Sequence, residues 1–224
     1  MRSERRQWLR MAAAMLALRL GCLGNALASG TVEKGVHRVR GDVRVNGVAA
    51  IEGMEIRAGD VITTGANSDV VFVVGRDAFL IRANARVEAQ GSDAGALLLT
   101  GLRVVTGAVL SVFSPGEPKF LRTATANIGI RGTAVYLEVE EARTYVCTCY
   151  GEADIASTAD PSARETVRTK HHEQPRYVMG AGALQMLMSA PVINHTDAEL
   201  ILLESLTGRR PPFVEMPGYR PGRY

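Results

Sequence analysis

Cysteine is scarce in this chain, at three in 224 residues, and so is any excess of charge of one sign. There are 26 Lys+Arg against 23 Asp+Glu, a formal +3, but five of the arginines and only one acid fall within the first 28 residues. The remaining 196 residues carry 21 basic and 22 acidic side chains, so no basic footprint able to neutralise several phosphates is present, and generic capture of DNA or RNA is excluded. No apolar run approaches the roughly 20 residues a membrane-spanning helix needs, so no transmembrane span is expected. Enzymatic signatures are missing too. The chain has no GxSxG, no HExxH, no phosphate-cradling GxGxxG or GxxxxGK[ST], and no evident acid pair; a Cys/His nucleophile is only formally available, so the chain is expected not to be an enzyme.

What is present begins with an address. Arg5-Arg6-Gln7-Trp8-Leu9-Arg10 precedes a short apolar stretch, Met11 to Leu18, and Asn25-Ala26-Leu27-Ala28-Ser29 offers a small-x-small cleavage site after Ala28. These three parts predict a cleavable export signal over 1–28, of twin-arginine type by its paired arginines, and hence a periplasmic protein. A lipid attachment at Cys22 is disfavoured because Arg19 stands where an aliphatic residue is wanted. Cleavage removes Cys22 and leaves Cys147 and Cys149, which in an oxidising compartment suggest a pair.

From about residue 35 to 155 the text is short β-branched runs punctuated by Gly, Asn and Asp, with turn signals every 8 to 12 residues. This predicts an all-β fold, an antiparallel sandwich or β-roll. Alternating valines on either side of Gly41-Asp42 predict a hairpin over His37–Gly47, and further strands are expected at 69–74, 78–83, 85–89, 96–99, 102–105, 108–113, 133–139, 143–149 and 152–155. Residues 29–156 thus form the β-domain, 157–195 a polar connector with a short strand at 176–179, and 196–224 a C-terminal helix and loose tail. Thr196-Asp197-Ala198-Glu199 has capping-box spacing, and Leu200, Ile201, Leu203 and Leu206 continue one short helix to Thr207 before Gly208 and the Arg209-Arg210-Pro211-Pro212 stop. Its apolar face is expected to lie on the β-domain.

Two segments resemble a known family. Gly53 to Ser68 contains Ala58-Gly59-Asp60-Val61-Ile62-Thr63-Thr64-Gly65; downstream come Gly107-Ala108-Val109 and Ile128-Gly129-Ile130-Arg131-Gly132-Thr133, then a Tyr150-Gly151-Glu152-Ala153 strand. In this order they resemble the FecR family's periplasmic domain over about residues 35 to 156. The matching positions are Gly59, Asp60, Thr64, Gly65, Gly129, Arg131, Gly132 and Thr133. The glycines are expected to permit positive φ at turns, Asp60 and Thr64 to bond backbone amides, and Arg131 to lie against a neighbouring strand and donate to its carbonyls. The resemblance implies a periplasmic β-domain used for contacts with an envelope protein or cell-wall component, in a binding or signalling role. A leader stands where family members that control sigma factors carry a cytoplasmic segment and a membrane helix, so that relay does not carry over.

The sharpest local chemistry is Tyr145-Val146-Cys147-Thr148-Cys149-Tyr150-Gly151. Residues i and i+2 of a strand share a face, so both sulfurs point the same way, while Cα atoms about 6.5 to 7 Å apart leave a disulfide strained unless a bulge intervenes. Three readings stay open: a disulfide or redox pair, a soft-metal pair, or half-cystines of a dimer. As metal ligands the partners would be His171 and His172, giving two Cys and two His for zinc or copper, with one of the adjacent histidines expected to face away. His37 and His195 are expected to be ordinary surface or cap-neighbour residues.

Overall fold

A computed structural model describes residues 34–220 and Gly222, all within one unit of the chain. The expected export signal over 1–28, with its cleavage site and Cys22, lies outside the described residues, as do positions 221, 223 and 224 of the tail. Fifteen strands and one α-helix follow in order: β1 Gly35–Arg40, β2 Val43–Val45, β3 Val48–Ala49, β4 Val61–Thr64, β5 Asp69–Val74, β6 Asp77–Ile81, β7 Arg86–Gln90, β8 Gly101–Val112, β9 Lys119–Arg122, β10 Ala126–Ile130, β11 Ala134–Val139, β12 Arg143–Ser157, β13 Arg164–Thr169, β14 Arg176–Met179, β15 Leu187–Ser189 and α1 Asp197–Leu206. The fold is all-β with one short helix, as expected. No helix among the described residues is long and apolar enough to cross a membrane.

The strands make two sheets that share their two longest members. The first sheet runs β1-β5-β6-β8-β11-β12-β14-β15, and the second runs β3-β2-β4-β7-β8-β9-β10-β12-β13. The circuit β8-β9-β10-β12-β11 and back to β8 is closed, with β8–β9 the one parallel pair among the described strands, so the core is barrel-like. Each shared strand changes sheet at a glycine in the left-handed region, Gly107 (φ 84°) in β8 and Gly151 (φ 90°) in β12. A Cβ on Gly107 would stand 2.5 Å from the Ala85 Cβ, and one on Gly151 2.5 Å from the Thr133 hydroxyl, so close packing as well as φ requires glycine at both bends.

Side-chain patterning separates the two sheets. In the second, β2, β4, β7 and β13 alternate between buried and more exposed positions, because one face meets solvent. In the first, β5 and β6 are apolar on both faces. Val70, Phe72, Val74, Phe79 and Ile81 join the core between the sheets, whereas Val71, Val73, Ala78 and Leu80 join a second core on the outer face. That outer core includes Tyr136, Tyr145, Cys147, Cys149 and Tyr150, and it is closed by Leu200 and Leu203 of α1 and by Phe213.

Several expectations change. The valines flanking Gly41-Asp42 form no hairpin: β1 pairs with β5 and β2 with β4, so the chain crosses between sheets there. The real hairpin is one turn later, where Asn46 (φ 52°) and Gly47 (φ 82°) link Val45 to Val48. No strand forms at 96–99, while 102–105 with 108–113, and 143–149 with 152–155, are each one continuous bent strand. The span 157–195, read as a connector or ragged strand pair followed by a short strand at 176–179, holds three paired strands, β13 to β15. After α1 the chain is packed, with a 3₁₀ turn at Pro212–Glu215 whose Phe213 is fully buried. Thr196 caps α1 with both bonds of the expected capping box, Glu199 N–H to the Thr196 hydroxyl and Thr196 N–H to the Glu199 carboxylate.

Replacing Gly107 by alanine combines a left-handed backbone with a core overlap and is expected to cost about 3 kcal/mol, read from the urea midpoint. Gly47→Ala, at similar φ with open space around it, is expected to cost only about 1 kcal/mol. Equal losses would contradict the packing role assigned to the bend.

Candidate metal centre

The site sits on the outer face of the first sheet, where β12 approaches its bend. Register against β11 is broken here: Val135 pairs with Thr148 but Ala134 with Tyr150, which leaves Cys149 as the extra residue of a β-bulge. The bulge keeps Cys147, Cys149 and Tyr150 all in the outer core. Both cysteines are fully buried free thiols.

Two further segments reach the sulfurs. After β13 the chain turns at His172, itself left-handed (φ 57°), whose N–H donates to the Cys149 carbonyl at 2.9 Å. That bond holds the imidazole over the cysteines, with Nδ1 3.4 Å from the Cys147 sulfur. From the other side comes the segment before α1. Ile193 N–H donates to the Tyr145 hydroxyl at 3.3 Å, that hydroxyl donates to the Pro191 carbonyl at 2.9 Å, and His195 stacks on Tyr136 with centroids 4.5 Å apart. His195 Nε2 then lies 3.0 Å from His172 Nδ1. Ligand atoms of Cys147, Cys149, His172 and His195 all lie within 4.8 Å of one another, and all four residues are buried.

The outer nitrogens decide what the inner ones offer. His195 Nδ1 is 2.6 Å from the Ile193 carbonyl, an acceptor only, so the proton sits there and Nε2 presents a lone pair. His172 Nε2 is 3.2 Å from the Asp197 carboxylate, which likewise fixes that proton and turns the Nδ1 lone pair inward. Two imidazole lone pairs and two sulfurs therefore converge on one point, where only a cation or a shared proton relieves them. Without a metal the cluster stores protons. Burial would push the Cys147 thiol up, but bonds from Cys149, His172 and His195 outweigh it and hold that thiol well below its ordinary value. Cys149 moves the opposite way, raised by burial and then by its bond to Cys147. Burial would lower His172, yet Cys147 and Asp197 together raise it.

The residues expected from sequence are partly redistributed. Cys147, Cys149 and His172 come together, but His171 does not join them. Its ring stacks on Phe213 (4.5 Å), and its Nε2 bonds the same Asp197 oxygen at 2.8 Å. The fourth position belongs to His195, expected to be an ordinary cap neighbour. His195 and Asp197 flank the Thr196 cap, and that contiguity with a helix start was the only signal that pointed to them. Asp197 itself is buried, with one oxygen taken by the two histidines and the other without a hydrogen-bond partner among the described residues.

Of the eight motif positions, Gly59, Asp60, Thr64, Gly132 and Thr133 have structural roles. Gly59 lies at φ 94°, Asp60 accepts from Arg57 N–H at 2.7 Å, and the Thr64 hydroxyl accepts from Ala85 N–H at 2.9 Å. A Cβ on Gly132 (φ 59°) would stand 2.8 Å from the Pro115 Cα, and the buried Thr133 hydroxyl donates to the Tyr150 carbonyl beside the β12 bend. Gly65 and Gly129, by contrast, are not at positive φ. Arg131 is exposed, and its backbone N–H donates to the Glu152 carbonyl at 3.4 Å.

No protein-family model matches this chain, and no curated protein matches it. Two crystal structures, each described as a "putative anti-sigma factor" from Parabacteroides distasonis, are similar to it. One has 9% identity over 58% of this chain and 58% of its own, with a TM-score of 0.46. The other has 9% identity over 63% of this chain and 71% of its own, with a TM-score of 0.47. The chain thus spans less than two thirds of the first structure, and likenesses this distant bear on neither fold nor function.

With both sulfurs fully buried, the native protein is expected to react with a thiol-disulfide reagent at least about a hundredfold more slowly than after denaturation, when Cys147 and Cys149 titrate together. Fast stoichiometric reaction of the native protein would contradict their burial.

Proposed function

We propose that this chain is an exported, non-enzymatic β-module of the cell envelope, FecR-like in its motifs, that binds one soft or borderline metal ion, Zn²⁺ or Cu⁺, through Cys147, Cys149, His172 and His195. One observation carries the metal reading: four buried ligand atoms within 4.8 Å of one another, with both imidazoles turned inward by acceptors behind them. Tetrahedral Zn–N and Zn–S bonds of 2.0–2.3 Å put neighbouring ligand atoms about 3.3–3.8 Å apart. The 3.4 Å and 3.0 Å separations seen here lie near that edge length. Two thiolates and two neutral imidazoles cancel the charge of Zn²⁺, which suits a buried site. Backing of His172 by Asp197 and of His195 by a backbone carbonyl is the usual outer support of metal-bound histidine. Four protein ligands leave no open position for substrate, so the ion's role is structural or sensory and not catalytic.

The envelope part of the reading rests on the leader and on the FecR-like motifs. It supplies an oxidising compartment, in which a bound ion protects two thiols that would otherwise be oxidised, and a role in contacting an envelope protein or cell-wall component. The thiol-redox alternative uses the same Cys147 and Cys149 without a metal.

Elemental analysis of protein isolated without chelator is expected to find about one zinc or copper per chain, and thiol titration to find both sulfurs reduced. Saturating metal at about 1,000 times Kd is expected to stabilise the fold by about 4 kcal/mol. Asp197→Asn should weaken binding about 10–100-fold and Cys147→Ser or His195→Ala more, while His171→Ala keeps one ion per chain. Absence of metal with a disulfide in its place would favour the redox alternative. For the export reading, N-terminal sequencing of periplasmic material is expected to begin at Ser29; an intact Met1 would overturn it.

A further inference from the structure

Resting on that metal reading, we propose that the ion is the latch of a C-terminal cap, so that metal binding closes residues 190–219 over the outer face of the first sheet and metal loss releases them. The ligands divide unequally. Cys147 and Cys149 belong to β12, and His172 is tied to β12 by its N–H bond to the Cys149 carbonyl, so three ligands move with the barrel. His195 alone comes from the cap, two residues before α1, whose first residue Asp197 backs His172. One ion thus crosses the boundary between barrel and cap.

The two cores divide at the same boundary. The core between the sheets contains no residue beyond β15, so the barrel keeps its interior whether or not the cap is seated. The outer core needs the cap: Leu200, Leu203 and Phe213 share it with Leu80, Leu110, Tyr136, Tyr145 and Tyr150, and Phe213 lies edge-on to Tyr150. Other ties across the boundary are the stacking of His195 on Tyr136 and of His171 on Phe213, the bonds of the Tyr145 hydroxyl to Ile193 and Pro191 and of His171 to Asp197, and further polar contacts. Arg82 meets Glu199 at 2.9 Å, Asn194 donates to Glu138 at 2.9 Å, Tyr150 donates to the buried Glu204, and Arg209 reaches the Arg76 carbonyl at 2.6 Å. Half-exposed pairs such as Arg82–Glu199 add little. The ion gains its fourth ligand only when His195 is in place, so its binding free energy is linked to the closed state.

Amide hydrogen exchange on the full chain tests this, with Zn²⁺ as the probe ion, after loading and after chelator stripping, and with bound zinc quantified in each sample. With zinc, α1 amides are expected to be protected; without it they should exchange about a hundredfold faster, while β8 and β11 keep their protection. His195→Ala should leave α1 exchanging fast at either zinc level. Cys149→Ser, which alters the sheet side alone, should release α1 likewise, and it keeps the test open if His195→Ala fails to fold. Stoichiometric zinc with α1 protection unchanged on stripping would overturn the latch and leave the metal site standing. Loss of protection in β8 and β11 together with α1 would overturn it too, making the ion a staple of the whole fold. Failure to bind zinc at all would remove the reading on which the latch rests.

Discussion

A strand that leaves one sheet and enters another must turn its hydrogen-bonding edges through a large angle without losing its pairing on either side. β8 and β12 do this at Gly107 and Gly151, and the arrangement of the molecule follows from those two bends. Because both strands are shared, the sheets close around one interior, and the first sheet keeps a second apolar face that something must cover. The C-terminal helix and the 3₁₀ turn beside it cover that face. Cys149 occupies its bulge two residues before the β12 bend, on the same outer face as Cys147.

Burial then sets the chemistry. Two sulfurs and two imidazoles in water would be a loosely solvated set. Under the cap they have no water to turn to, and each outer nitrogen is committed to an acceptor, Asp197 or the Ile193 carbonyl. What remains for the inner atoms is either a proton shared as a thiolate–imidazolium pair or a cation. The site is more than a list of nearby ligands for this reason: the hydrogen bonds behind it have fixed which lone pairs point in.

Legibility in the sequence was uneven, along physical lines. Strand character was plain wherever period-two alternation or β-branched runs were strong, as in β5 and β11, and the capping box located α1 because its signal is local. The Gly41-Asp42 hairpin failed because alternation marks a strand but not its partner: both flanking strands exist, in different sheets. Continuous apolar text in β5 and β6 already carried the second core, since a strand hydrophobic at every position must be covered on both faces. At the site, CxC on a strand placed two sulfurs on one face, and a His-His pair downstream supplied one ligand. His195 was missed because it stands 46 residues beyond Cys149 and beside a helix cap, where a polar residue needs no further explanation.

By itself, then, the amino-acid order determined the class of fold, the helix start and the shared face of Cys147 and Cys149, because each depends on neighbours within a few residues. Tertiary structure decided the rest: which sheet each strand joins, that Gly107 and Gly151 are bends between sheets, and that His195 instead of His171 completes the cluster. Those outcomes depend on contacts between segments tens of residues apart. A ligand set is an arrangement in space, and only the packing of the cap on the barrel brought in His195, which its sequence surroundings mark as no more than a cap neighbour, in place of His171.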